Sequence, residues 1–127
     1  MTRRPLVQPR IAPAPLVSVV IPTRNRSQLL QRAIESVLRQ TYDYLEILVI
    51  DDASDDDTER VIAAFGDTRI RYMRHTGGGG AAAARNVGIR AATGSVIGFL
   101  DDDDEWEPAR VCHDGLVYQR HSVHRPR

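Results

Sequence analysis

"EILVIDDASDDDTERVIAAFG", Glu46 to Gly66, is the stretch on which the fold turns. Glu46 to Ile50 is dominated by branched apolar side chains and reads as a buried strand. Two aspartates, Asp51 and Asp52, end it. "SDDDTERVIAAFG" then offers a cap at Ser54 or Asp55, acidic residues in the first turn of a helix, and a stop at Gly66. Val61, Ile62 and Phe65 give that helix an inner face. A buried strand that passes through a short turn into a helix is the repeating unit of a parallel sheet.

The pattern repeats in both directions. Upstream, "VSVVI" (Val17 to Ile21) is another buried strand, closed by Pro22. Ser27 stands where a cap is expected. Leu30, Ala33, Ile34, Val37 and Leu38 recur at three- and four-residue spacing, which predicts an amphipathic helix ending near Gln40. Downstream, "RIRYM" (Arg69 to Met73) alternates and suits a less buried strand. "GGGG" (Gly77 to Gly80) breaks the chain, and an alanine-rich helix follows from about Ala81 to Ala92. "SVIGFL" (Ser95 to Leu100) is the last strand.

The order β-α-β-α-β-α-β predicts an α/β fold: a parallel sheet with helices on its faces and right-handed crossovers. Val17 to Ile21 is expected between Glu46 to Ile50 and Ser95 to Leu100. Ligands of such sheets sit beyond the carboxyl ends of the strands. "PTRN", "DDAS" and "DDDD" all fall there.

Composition narrows the function. The 127 residues suit one small domain, and 42% apolar content supports a core. Basic and acidic residues balance at 17 each, which excludes a nucleic-acid partner held by bulk positive charge. Every basic residue is arginine. Without lysine there is no P-loop and no Schiff base. A phospho-receiver domain, which uses a lysine after a late strand, is set aside on the same ground.

Cys112 stands alone, so no internal disulfide forms. No apolar run reaches the roughly 18 residues of a membrane span, and no signal-peptide core is present. These features point to a cytoplasmic setting, free or peripheral to a membrane. Pro5, Pro9, Pro13 and Pro15 mark residues 1–16 as a disordered arm. The domain is expected over 17–110 and an irregular tail over 111–127. His113, His121 and His124 in that tail lack the spacing of a zinc site.

"VIGFLDDDDEWEP" (Val96 to Pro108) then poses the chemical question. Four adjacent carboxylates repel one another, and folding alone does not ask for them. Mg²⁺ and Mn²⁺ want hard oxygen ligands, often one or two carboxylates plus substrate phosphates. An acidic run is commonly just a solvated turn. Its place at the end of a buried strand, near a second acidic pair, favours the cation.

Other residues carry two readings each. Asp51 or Asp52 either caps the next helix or accepts hydrogen bonds from a base or ribose. Gly77 to Gly80 are either a flexible connector or a loop that lets a helix N-terminus approach phosphate. Arg85 is either a phosphate partner or a surface arginine. Trp106 is either core or the wall of a sugar pocket.

Taken together, "VSVVIPTRNR", "LEILVIDDASDDDT", "GGGGAAAARNVGIRAATG" and "VIGFLDDDDEWEP" resemble the family 2 glycosyltransferases of GT-A fold, in the family's order and spacing over about Val17 to Arg110. The resemblance implies a Rossmann-like, mostly parallel sheet that binds a nucleotide-diphosphate sugar of UDP or dTDP type. It places Pro22, Thr23 and Asn25 in the first nucleotide-binding loop and Asp52 at the base. Arg85 is carried with the nucleotide-binding set. Asp102 lies near the ribose and metal, Asp103 is the main ligand of Mn²⁺ or Mg²⁺, and Asp101 with Asp103 forms a DxD.

The sequence departs from the family in two ways. Arg24 stands where many relatives carry an aromatic residue. The length implies a chain truncated after the metal motif, without the second half that supplies the acceptor site and catalytic carboxylate. Two functions therefore compete: glycosyl transfer to an acceptor hydroxyl of a saccharide, lipid or protein, and a non-catalytic fragment that binds nucleotide and metal. A sheet edge left uncovered also implies self-association.

Overall fold

The structure is a computed structural model that describes residues 14–111. The expected arm (residues 1–16) and tail (111–127), with Cys112 and the three tail histidines, lie outside the described residues except for 14–16 and 111. Within them, β1 (Val17–Thr23), α1 (Ser27–Leu38), β2 (Leu45–Asp51), α2 (Thr58–Ala64), β3 (Ile70–Arg74), α3 (Gly80–Ala91) and β4 (Val96–Phe99) follow in turn.

The four strands form one parallel sheet in the order β3-β2-β1-β4. β1 therefore lies between β2 and β4, as its sequence predicts. The chain moves outward from β1 through β2 to β3, then α3 carries it back across to the other side of β1. That reversal opens a crevice between the carboxyl ends of β1 and β4, where open α/β sheets bind ligands.

Side-chain alternation sorts the core into two layers. Val17, Val19, Ile21, Ile47 and Val49 face α1 and α2, and pack with Leu30, Ala33, Ile34, Val37 and Ile62. Val20, Leu48 and Ile50 face α3 and meet Ala84. A fully buried Val, Leu or Ile contributes about 1.5–3 kcal/mol relative to exposure, so the two layers hold the sheet from both sides.

β1 does not stop at Pro22 as expected; it continues to Thr23. The backbone explains why a central strand tolerates proline. The Thr23 carbonyl faces β2, accepting the Asp52 N–H, so Pro22 faces β4. But β4 pairs with β1 only as far as Val20↔Phe99, followed by the Leu100 N–H bond to the Val20 carbonyl. The missing N–H of Pro22 falls where the crevice has already opened.

The helix starts also differ from expectation. Ser27 is the first residue of α1 rather than its cap, and Arg26 holds the cap position without a side-chain bond to the helix N–H groups. α2 starts at Thr58, later than a cap at Ser54 or Asp55 would put it. One residue serves both helices: Asp56 accepts the Ser27 N–H at 3.3 Å and the Thr58 N–H at 3.1 Å. Slight burial opposes its charge, but these bonds hold its carboxyl below the ordinary range. A carboxylate at two helix N-termini also suits both dipoles. The remaining boundaries shift by one residue or so, as helix and strand ends commonly do.

At the amino ends of the strands, on the α3 side, a polar cluster closes the sheet. Glu46 accepts hydrogen bonds from the Ser18 hydroxyl (2.6 Å), the Thr93 N–H (2.7 Å) and Arg71 (3.0 Å). Ser18 Oγ accepts the Gly94 N–H at 2.8 Å. The cluster ties the α3–β4 turn to β1, β2 and β3. Burial disfavours ionised Glu46, but its donors outweigh that and hold its pKa below the usual value.

Glu46→Gln should cost about 2 kcal/mol, because an amide cannot accept from all these donors at once. A pKa lowered in the fold contributes stability above the unfolded carboxylate value, and that contribution is lost as pH falls through the folded one. Urea unfolding of the variant should therefore show a shallower acid dependence than that of the parent. Equal midpoints at neutral pH would overturn this role.

Candidate functional site

A pocket of about 340 Å³ fills the crevice. Pro22, Thr23, Arg24 and Arg26 line it from the β1–α1 turn, Asp52 from the end of β2, and Ala81, Ala84 and Arg85 from α3. Asp101, Asp102 and Asp103 line it from the loop after β4. Small alanines on α3 leave the room that larger side chains would fill. Three loops distant in sequence meet here because the parallel strands all end on this side.

Strand alternation separates the two aspartates of "DDAS". Asp51 turns toward the α1–α2 face, where Tyr72 and the Ser54 N–H (2.9 Å) bond its carboxylate and Arg74 pairs with it at 3.5 Å. Burial and the bond to Asp51 push the Tyr72 phenol up to about 12. Asp51 is thus spent on holding the loop. Asp52 turns to the other face, into the pocket, with Arg24 at 4.0 Å.

The acidic loop is held at both ends. Before it, β4 pairs with β1. After it, Trp106 packs into the main core and its N–H bonds Ser36 Oγ at 3.0 Å. Gln40 receives the Val111 N–H and donates to the Glu107 carbonyl. Trp106 is therefore core and does not line the pocket.

Between these anchors the aspartates diverge. Asp101 pairs with Arg85 at 3.3 Å. Asp102 is buried and accepts from Thr23 Oγ1 at 2.9 Å. Burial raises its pKa against the bonds from Thr23 and Arg26. Asp103, with a side chain only 5% exposed, lies 3.4 Å from Arg26. The Asp104 N–H bonds the Asp101 carbonyl and closes the turn.

Of the expected residues, Pro22, Thr23, Asp52, Arg85, Asp101, Asp102 and Asp103 meet in this pocket. Asn25 does not line it. It sits at φ 53°, bonds Ser54 Oγ through its N–H, and accepts the Asp55 N–H with its side chain. It joins the two turns behind the site. The glycines form a turn of defined shape: Gly78, Gly79 and Gly80 all take positive φ and lead into α3.

Sequence reasoning passed over Arg26, whose Nη1 reaches Asp102 at 3.2 Å and Asp103 at 3.4 Å. A signal was present. An arginine at the start of a helix opposes the dipole, so some partner must hold its charge.

Among the described residues, no three His, Cys, Asp or Glu side chains converge as a ready metal cage. Mg²⁺-type sites use one or two carboxylates and complete their shell with phosphate and water. Asp102 and Asp103 already share one positive group, the Arg26 guanidinium. Hard carboxylates converging on one cationic position fit such an ion.

Comparison with known proteins agrees with this architecture. The family described as Glycosyl transferase family 2 matches residues 18–113. A glucosyltransferase of Escherichia coli, UDP-Glc:alpha-D-GlcNAc-diphosphoundecaprenol beta-1,3-glucosyltransferase WfgD, is 43% identical over 91 residues, covering 72% of this chain and 36% of its own. The Pyrobaculum calidifontis mannosyltransferase, solved with GDP-Man and Mn²⁺, has a TM-score of 0.68 and 33% identity, over 82% of this chain and 32% of that one. S. aureus TarS with UDP has a TM-score of 0.68 and 25% identity, over 73% and 29%. The chain spans between 14% and 39% of the length of these curated relatives. No helix among the described residues is long and apolar enough to cross a membrane. By the match of its sequence and of its parallel sheet, the chain belongs to glycosyl transferase family 2.

Proposed function

We propose that this chain forms the donor-binding part of a glycosyltransferase that takes a UDP- or dTDP-sugar with Mn²⁺ or Mg²⁺ and serves glycosyl transfer to an acceptor hydroxyl. One observation carries the reading: Asp52, Arg85 and the acidic loop meet in a single pocket at the β1–β4 crevice. Solved relatives bound to UDP and to GDP-Man with Mn²⁺ support it.

Each residue has a part. Asp52 accepts hydrogen bonds from the base or ribose at the deep end of the β2 side. Thr23 orients Asp102 through its hydroxyl. Asp103 holds the cation, flanked by Asp101 and Asp102. Arg85 leaves Asp101 for a phosphate oxygen, a pairing guanidinium geometry favours. When bound, the cation neutralises the charge that builds on the departing nucleoside diphosphate. The named lipid-linked acceptor of the E. coli relative supports an acceptor at a membrane surface, reached peripherally from the cytoplasm.

A second reading keeps the binding and omits the transfer. The resemblance assigns the catalytic carboxylate and acceptor site to a second half of the family's fold. Transfer of radiolabelled sugar from UDP-sugar to a lipid-linked acceptor separates the two: product supports transfer, and binding without product supports the second reading.

The two adjacent aspartates give a sharper test of the site. Asp52→Asn should weaken UDP about tenfold, the value of a charge-assisted hydrogen bond, while leaving the cation's effect on UDP intact. Asp51→Asn should instead lower the melting temperature, because Tyr72, Ser54 and Arg74 lose their shared carboxylate. Calorimetric titration and thermal unfolding of both variants would show it. The reverse assignment, with Asp51→Asn losing UDP and Asp52→Asn losing stability, would refute the placement.

A further inference from the structure

We propose that Arg26 is a built-in counter-ion that occupies the cation position of the acidic loop and must swing onto the diphosphate when metal and nucleotide enter. The inference rests on the donor-binding reading above and extends it to a residue outside the acidic loop.

The geometry is specific. A single nitrogen, Nη1, lies 3.2 Å from Asp102 Oδ1 and 3.4 Å from Asp103 Oδ2. An ion bridging these two carboxylates would need the space this nitrogen fills. The two carboxylates are buried, with side chains 9% and 5% exposed, whereas the Arg26 side chain is 50% exposed. The arginine is therefore the partner able to move. Its backbone carbonyl accepts the Leu30 N–H, so the main chain stays fixed in α1 while the side chain turns. Arg26 also lines the pocket, which puts a displaced guanidinium beside the space a diphosphate would take.

The arrangement has two consequences of opposite sign. With the pocket empty, Arg26 shields two buried carboxylates from mutual repulsion and competes with metal. With nucleotide present, the same guanidinium gains phosphate oxygens and its competition ends. Metal and nucleotide then assist one another, and the assistance is reciprocal. The site would discriminate against a bare cation and fill when cation and nucleotide arrive together.

The test titrates Mn²⁺ into the full chain, following free Mn²⁺ by electron paramagnetic resonance, with and without UDP. Arg26→Gln removes the charge and Arg26→Lys keeps it. Arg26→Gln should bind Mn²⁺ alone about twofold to fivefold more tightly, the range open to a half-exposed ion pair. It should bind UDP more weakly by a similar factor at saturating Mn²⁺, and Arg26→Lys should fall between it and the parent on both counts. General damage to the fold would weaken both ligands. If Arg26→Gln weakened both, or left Mn²⁺ unchanged, the counter-ion role would be wrong. If the parent bound UDP with no response to Mn²⁺, the underlying donor-site reading would fall as well, and the two failures are told apart by the parent alone.

Discussion

Gly88→Val is expected to lose about 3 kcal/mol of stability, a large share of the roughly 5–15 kcal/mol that holds a domain folded. Gly88 is buried where α3 crosses β1, and a Cβ placed there would lie 2.4 Å from Val20 Cγ1 and 3.0 Å from Cγ2. Val20 is fully buried and branched, so it cannot swing aside. The helix must lift off the sheet. Gly88→Ala makes a useful comparison. It gains about 1 kcal/mol of helix propensity and meets the same first clash, so its net loss should be smaller. Arg85 rides on the same helix, so Gly88→Ala should also weaken UDP. Urea unfolding followed by circular dichroism measures the first effect. A midpoint for Gly88→Val equal to the parent's would mean that α3 does not seat on Val20.

Chelating the cation should weaken UDP about a hundredfold or more. A diphosphate entering this pocket meets Asp52 and three further aspartates, which repel it. A divalent ion between them reverses the sign of the local field. Asp103→Asn keeps the shape and removes the charge, so UDP binding should no longer depend on the ion. Calorimetry with Mn²⁺ and with EDTA gives both readings. Equal UDP affinity in EDTA would reduce the four aspartates to a solvated turn.

The parallel order was legible because Val17–Ile21 and Glu46–Ile50 are continuous apolar runs and the helix between them keeps a clear period. Element ends were less legible. Pro22 looked like a strand terminus, and only the pairing with β4 shows why it is tolerated. Ser27 looked like a cap because sequence cannot show Asp56 reaching the same N–H from another loop. In the pocket, residue types at strand ends pointed to the acidic loop and the aspartate pair, and the resemblance to the family supplied the rest of the seven expected residues. Residue type alone left Asp51 and Asp52 open, since the choice depends on which face each side chain takes; the resemblance chose Asp52. Four identical aspartates likewise hide their own division of labour, which Thr23, Arg26 and Arg85 reveal.

The bond between Thr23 and Asp102 joins residues 79 positions apart. That separation fixes when the pocket can exist. β1, β2 and β3 pair with near neighbours in the chain, but the acidic loop reaches Thr23 only after β4 docks on the far side of β1. Closing a loop of that length is the slowest kind of contact for a folding chain to make. A nascent chain that has not yet added Asp101 to Asp103 carries most of the sheet without the acidic wall of the pocket. In refolding, recovery of Mn²⁺-dependent UDP binding should trail recovery of helix and sheet signal, so ligand competence marks the last event of folding rather than the first.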